Sequence, residues 1–462
     1  MGRERYVDLL RAWAILLVVL GHWLITGLVR HPDGTIGAPE LLVAVPWTQW
    51  LTLGFQIMPL FFLAGGHAAA GSWARARADG GTAAGWVGRR AVRLLLPAGV
   101  YSGLVLVAVG VCSALGVDPV TLALVGWAMA MQFWFLPVYL LLSALTPALH
   151  ALHRRWRLRV PAGLAAAALV VGVLDVAADA PYVGALDYVL VWGVVYQLGF
   201  CWRDGRLDGR LDGRLDGRRS LPLVLAVGGG AGFAALVGFG PFPVSLILVT
   251  GQEPSNTDPP SAAMLAWAVA QVGVCLLVAP AVRRLLERER VWRAVRGLGA
   301  VSMTLYLWHM LPVLVVAAAF YLTGLAPEPG YGSAAWWGMR VPWLVVLAVV
   351  LVGVLRVLRP LERALSAWAG RVRPEAGLRG ARAWRMWAGV GVSAGALAFF
   401  AGHGFTDGGR FPVAAAVGLA VGAGLLLFGG RAGGGPPASP GDTGGAAAAE
   451  GPGEGRQVEE AA

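Results

Sequence analysis

One histidine of the seven in the chain, His22, falls inside the first long apolar run, RYVDLLRAWAILLVVLGHWLI, from Arg5 to Ile25. Ionisable groups within a membrane are costly; they face a bundle interior or a watery cavity and mark function. Arg11 precedes His22 by eleven residues. That is about 1100° of helical rotation, so the two side chains lie within roughly 20° of each other around the axis. Asp8 falls about 40° away on the same side, which gives this helix one polar stripe on an apolar surface. His22 then sits ~16 Å deeper than Arg11, near mid-bilayer, while Arg11 stays at the mouth. An imidazole so placed can take a proton from a hydroxyl or attack a carbonyl itself. The structural alternative is a neutral ring hydrogen-bonded to a neighbouring helix.

A second histidine reaches the same depth. In GLGAVSMTLYLWHM, entered near Gly297, His309 lies ~18 Å along its helix, and Ser302, Tyr306 and His309 share one face at i, i+4 and i+7. In RRAVRLLLP, Arg89 to Pro97, Arg90 and Arg93 stand one turn apart where the third apolar run begins, beside Arg89. Guanidinium pairs at that spacing can grip a phosphate, although loop anchoring alone also places arginines there. MPLFFLAGGHAAA adds a close-packing small-residue segment and a third histidine, His67. QFWFLPVYLLLSALTP adds Trp134 and the helix-distorting Pro137. A buried histidine reachable from a basic mouth suits transfer from an anionic, phosphate-bearing donor to an acceptor met within or across the membrane.

The elements that must position these groups are membrane helices. The 462 residues are 57% hydrophobic and 14% charged, with mean hydropathy +0.66. A soluble domain could not hide so many apolar runs of spanning length. Twelve runs suggest spans near 8–29, 48–71, 94–115, 129–149, 160–178, 184–202, 221–239, 262–282, 298–322, 341–358, 386–403 and 411–430. The first lacks an obvious small-residue cleavage site, so we expect a retained span rather than a secretory signal.

All 37 basic residues are arginine, and the net charge is +11. Of these arginines 34 fall in the N-terminal region, in every second connection or in the tail; the other connections hold only Arg30, Arg340 and Arg410. This bias predicts both termini in the cytoplasm of a multi-pass cell-membrane protein, and it explains the positive charge without nucleic acid. Cys112, Cys201 and Cys275 are scattered singly and read as small core residues, with no metal spacing. The four-residue repeat GRLDGRLDGRLDGRR, Gly205 to Arg219, lacks calcium-loop spacing and reads as a solvated linker. Residues 361–385 read as a basic cytoplasmic linker, 386–430 as two additional spans and 431–462 as a disordered tail.

The first run resembles the opening span of the acyltransferase-3 family of integral membrane acyltransferases, in which an arginine is followed eleven residues later by Gly-His. MPLFFLAGG, RRAVRLLLP, FWFLPVYLLLSALTP and GAVSMTLYLWHM agree with that family in order, over about residues 3–360. The resemblance implies an all-α polytopic bundle with a ten-span core, here followed by two further spans. It implies acyl transfer, commonly acetyl from acetyl-CoA, to a hydroxyl of a glycan or other small acceptor, with no bound cofactor. By the match His22 is the catalytic histidine and Arg11 its companion. Arg90 and Arg93, flanked by Arg89, are the pair near the CoA phosphates, and Tyr306 and His309 belong to the last block. Gly65 departs from the family, which usually carries serine there, and His67 follows Gly66. The competing class is a transporter or flippase, which also uses intramembrane His and Arg; it calls for paired internal repeats, and none is visible.

Overall fold

A computed structural model describes residues 4–428 except 33, 179–181, 209–219 and 372–373. Most of the Gly205 to Arg219 repeat and the 431–462 tail lie outside the described residues. The rest is almost wholly helical: α1 (Arg5–Ile25), α2 (Met58–Ala78), α3 (Ala83–Ala114), α4 (Pro119–Ala130), α5 (Phe135–Trp156), α6 (Arg159–Ala178), α7 (Asp187–Arg203) and α8 (Ser220–Gly238). Then follow α9 (Ala262–Leu285), α10 (Glu289–Ala300), α11 (Ser302–Trp308), α12 (Leu311–Val316), α13 (Ala334–Arg371), α14 (Gly380–His403) and α15 (Val413–Phe428). A two-residue antiparallel pair, Val29–Arg30 with Ile36–Gly37, is the only ladder among the described residues.

Every apolar run meets a helix. Among the described residues ten stretches are long and apolar enough to cross a membrane; α11 and the Leu311–Tyr321 stretch that follows, bent by 43° at their junction, pass that test together, and Val413–Leu427 is shorter. The protein is therefore a multi-pass membrane protein. Large aliphatic side chains stand bare on its outer surface, such as Val107 at 66%, Val349 at 67% and Val357 at 78% exposed, where lipid rather than water must cover them.

Capping fixes the helix starts. Thr82 Oγ1 accepts from the Gly85 N–H at 3.1 Å for α3, and Asp118 Oδ2 from the Thr121 N–H at 2.9 Å for α4. Pro59 opens α2, where its missing N–H costs nothing. Helix α2 packs directly on α7: a Cβ on Gly66 would collide with the Tyr196 carbonyl, so only glycine lets the two backbones approach so closely. The expected 361–385 linker is shorter than its arginines suggested, because α13 continues to Arg371 and α14 begins at Gly380. The Leu361, Ala364 and Leu365 segment favours helix.

Candidate active site

A cavity of about 1190 Å³ runs through the bundle. At the arginine-rich side it is lined by Arg11, Arg89, Arg90, Arg93 and Arg296. His22, Gln132 and Tyr306 line its middle, and Tyr188, Thr257 and Asp258 line the opposite end. That last group lies on or beside the Gly240 to Ser261 loop, which side-chain bonds hold over the bundle. Gln56 donates to the Leu246 carbonyl at 2.7 Å, Asn256 to those of Pro243 and Ser245 at 2.7 and 2.9 Å, and Tyr188 to Asp258 at 2.8 Å.

The two mid-depth histidines meet. His22 Nδ1 lies 2.7 Å from His309 Nε2, with ring planes 21° apart. His309 Nδ1 lies 2.9 Å from the Tyr306 carbonyl, which can only accept, so this nitrogen carries the hydrogen. In the neutral pair His309 Nε2 is then an acceptor, and His22 Nδ1 must donate to it. The lone pair of His22 is thereby fixed at Nε2. His309 itself is fully buried and does not line the cavity, whereas His22 does. The break between α11 and α12 makes this contact: His309 caps α11, and its carbonyl accepts from the Trp23 indole at 2.7 Å. Tyr306 donates to the Gln132 carbonyl at 2.6 Å, which ties α11 to the short turn before α5. The equal depth expected of the two histidines thus becomes a direct bond, while Ser302, expected on their face, donates back to the Gly299 carbonyl at 2.9 Å.

The arginines divide into two kinds. Arg90 donates through Nε to Ser143 at 3.2 Å and through Nη2 to the Tyr139 hydroxyl at 2.6 Å, and its charge lies over the Trp86 and Tyr139 rings. It brings charge to the cavity, but two of its donors already serve the fold. Arg93, one turn on, is exposed at the mouth, and so is Arg11, whose guanidinium lies 5.9 Å from the Phe61 ring centre. The Tyr139 ring also accounts for Gly65: a Cβ there would lie 2.7 Å from the ring edge, so a serine would displace the partner of Arg90.

Several lining residues carry no signal of the kind used above. Arg296 and Trp292 come from α10, an amphipathic helix too short to span, with Trp292 and Val295 buried and Arg293 and Arg296 exposed. Trp292 lies under both Arg5 and Arg296, at 5.1 and 5.9 Å. A hydrophobic face opposite arginines is legible in VWRAVRGL and would have found it. Gln132 lines the cavity with a buried Oε1 that has no donor among the described residues. Ala398, Ala401 and Gly402 of α14 close one wall, so the C-terminal addition belongs to the same cavity. Glu362 of α13 accepts from Thr304 at 2.7 Å at the arginine-rich end. His67 is not in the cavity; it pairs with Glu4 at 3.0 Å.

A family model described as an acyltransferase domain matches residues 4–358. No curated protein and no solved structure matches the chain.

Proposed function

The chain belongs to the acyltransferase family whose domain spans residues 4–358, and from that premise we propose that it carries an acyl group, most simply acetyl, from acyl-CoA to a hydroxyl of a glycan or another small acceptor. The observation that carries the reading is the fixed lone pair on His22 Nε2, held by His309 inside a cavity that begins among five arginines.

The donor enters from the arginine-rich side, which the arginine bias makes cytoplasmic. Its phosphates are met by Arg93 and Arg89, by the charge of Arg90 and by Arg11 and Arg296 at the rim. The acceptor comes from the opposite end, past Asp258 and Tyr188. A volume of about 1190 Å³ exceeds what one small ligand needs, so both substrates fit together.

The acceptor hydroxyl gives its proton to His22 Nε2 as its oxygen attacks the thioester carbonyl. The C–S bond breaks, the ester forms, and the CoA thiolate takes the proton back from His22. During that step the imidazolium is steadied through Nδ1–H to His309, which in turn donates to the Tyr306 carbonyl. The same Nε2 lone pair can instead attack the thioester first; a sequential or a ping-pong rate law separates the two orders of events.

Labelled acetyl-CoA incubated with detergent-purified protein and an acceptor mixture tests the reading. The expected outcome is label transfer by the wild type and donor binding without transfer by H22A. Undiminished transfer by H22A would sink it.

A further inference from the structure

Of the three arginines on the arginine-poor side, Arg30, Arg340 and Arg410, only Arg340 is buried, with 6% of its surface exposed. It sits near the start of α13 and lines a second cavity of about 350 Å³. One arm of the guanidinium is occupied, since Nη1 donates to the Thr26 carbonyl at 2.8 Å. Nε is buried and has no acceptor among the described residues. The charge lies 3.8 Å from the centre of the Trp336 ring and 5.2 Å from that of Trp343. Ring faces offset part of the cost of a buried cation, but they give Nε–H no lone pair to bond. Glu328 also lines the cavity, and no ion pair joins it to Arg340 among the described residues.

The edge formed by Nε and Nη2 is the one that matches two oxygens of a phosphate. Apart from Glu328 and the tyrosines Tyr321 and Tyr331 the other lining side chains are apolar, and the cavity opens sideways: Phe320, Met339 and Val346 line it while being 43%, 37% and 37% exposed on the outer surface. An ion from water would not need such walls. A phosphate carried on an alkyl chain would.

We propose that this cavity binds the headgroup of a phosphate-bearing lipid from the arginine-poor leaflet. Arg340 Nε and Nη2 hold the phosphate oxygens, and one acyl chain lies along Phe320, Met339 and Val346. The site stands apart from the acyl-transfer cavity and does not depend on the reading of that cavity. It does share a wall with the histidine pair. Thr26, held by Arg340, caps α1 through bonds to the His22 carbonyl at 2.6 and 3.0 Å, and the Trp343 indole donates to the Trp23 carbonyl at 2.9 Å.

Native mass spectrometry of the full chain in detergent tests this, with short-chain phosphatidylglycerol titrated against the diacylglycerol that lacks the phosphate. One phosphatidylglycerol should bind about tenfold more tightly than diacylglycerol, as a charge-assisted fork implies. R340Q should abolish that preference. Because Arg340 also supports α1, V346W serves as a second variant: it fills the cavity and leaves Arg340 and Thr26 in place, and it too should lose the bound lipid. Equal affinity for the two lipids, unchanged binding by V346W, or displacement of the lipid by inorganic phosphate alone would overturn the proposal.

Discussion

His22 and His67 lie on neighbouring helices, α1 and α2, and have opposite kinds of partner. At the arginine-rich face His67 Nε2 meets Glu4 at 3.0 Å, and the other Glu4 oxygen meets Arg283 at 2.8 Å. His153 repeats the arrangement with Asp204 at 2.8 Å. In mid-bundle His22 meets a second imidazole instead. A carboxylate partner accepts the ring's hydrogen and ties the imidazole to its neighbour, so such a histidine is a strut. An imidazole whose own far hydrogen is committed to a carbonyl can only accept, which leaves its partner with a lone pair to use. The comparison separates two kinds of histidine by the chemistry of the nearest neighbour, a carboxylate for His67 and His153 and a second imidazole for His22.

The carboxylates record the same difference. Burial opposes ionisation of Glu4, but the hydrogen bonds and charges of His67 and Arg283 outweigh it and hold the carboxyl at about 2 instead of 4.5. Asp204 is also held low, chiefly by its hydrogen bond from His153 and against the opposing effect of burial.

The contrast can be broken most severely at His22. H22A should reduce acyl transfer by roughly 10²–10⁴-fold in single-turnover assays with labelled acetyl-CoA, the range for a lost general base. H153A should lower the melting temperature and leave turnover intact. The next effect is at His309, the positioning residue. H309A should lower kcat by about tenfold to a hundredfold, the cost of one lost buried hydrogen bond, while donor KM stays put. H309Q, whose side-chain oxygen can accept from Nδ1, should recover part of the loss; equal losses in the two variants would refute the tautomer assignment.

Arg90 and Arg93 sharpen the comparison at the mouth. R93A should raise acyl-CoA KM by about tenfold, an increase that shrinks with added salt. R90A should raise KM and also destabilise the fold, because Ser143 and Tyr139 lose their donor. The smallest effect is at Glu4. Its folded-state value lies below its unfolded one, so the ionised group adds stability that is present above about pH 4.5 and is lost as pH falls towards about 2. Thermal melts of wild type and E4Q should therefore differ near neutrality by about a few degrees and converge across that interval.

The apolar periodicity and the arginine bias made the helices legible because hydrocarbon leaves the backbone almost no alternative. The Arg11 and His22 stripe and the common depth of His22 and His309 were legible for the same reason: helix rise converts sequence spacing into distance. The bond between the histidines was not, because it needs the break after Trp308, where the apolar pattern continues unchanged up to Pro312. Nor could spacing show that Arg90 spends donors on Tyr139. The amphipathic α10 escaped a search tuned to spanning lengths. The α14 contribution escaped because Ala398, Ala401 and Gly402 have no chemistry of their own.

A cavity lined by residues from both flanks of the bundle has a cost for any cell that keeps a gradient across this bilayer. A continuous file of water through it would conduct protons, and at mid-depth that file would have to pass His22. The clustered guanidiniums at one end repel hydronium, so the charges that would hold a donor's phosphates would also keep such a file from filling with protons.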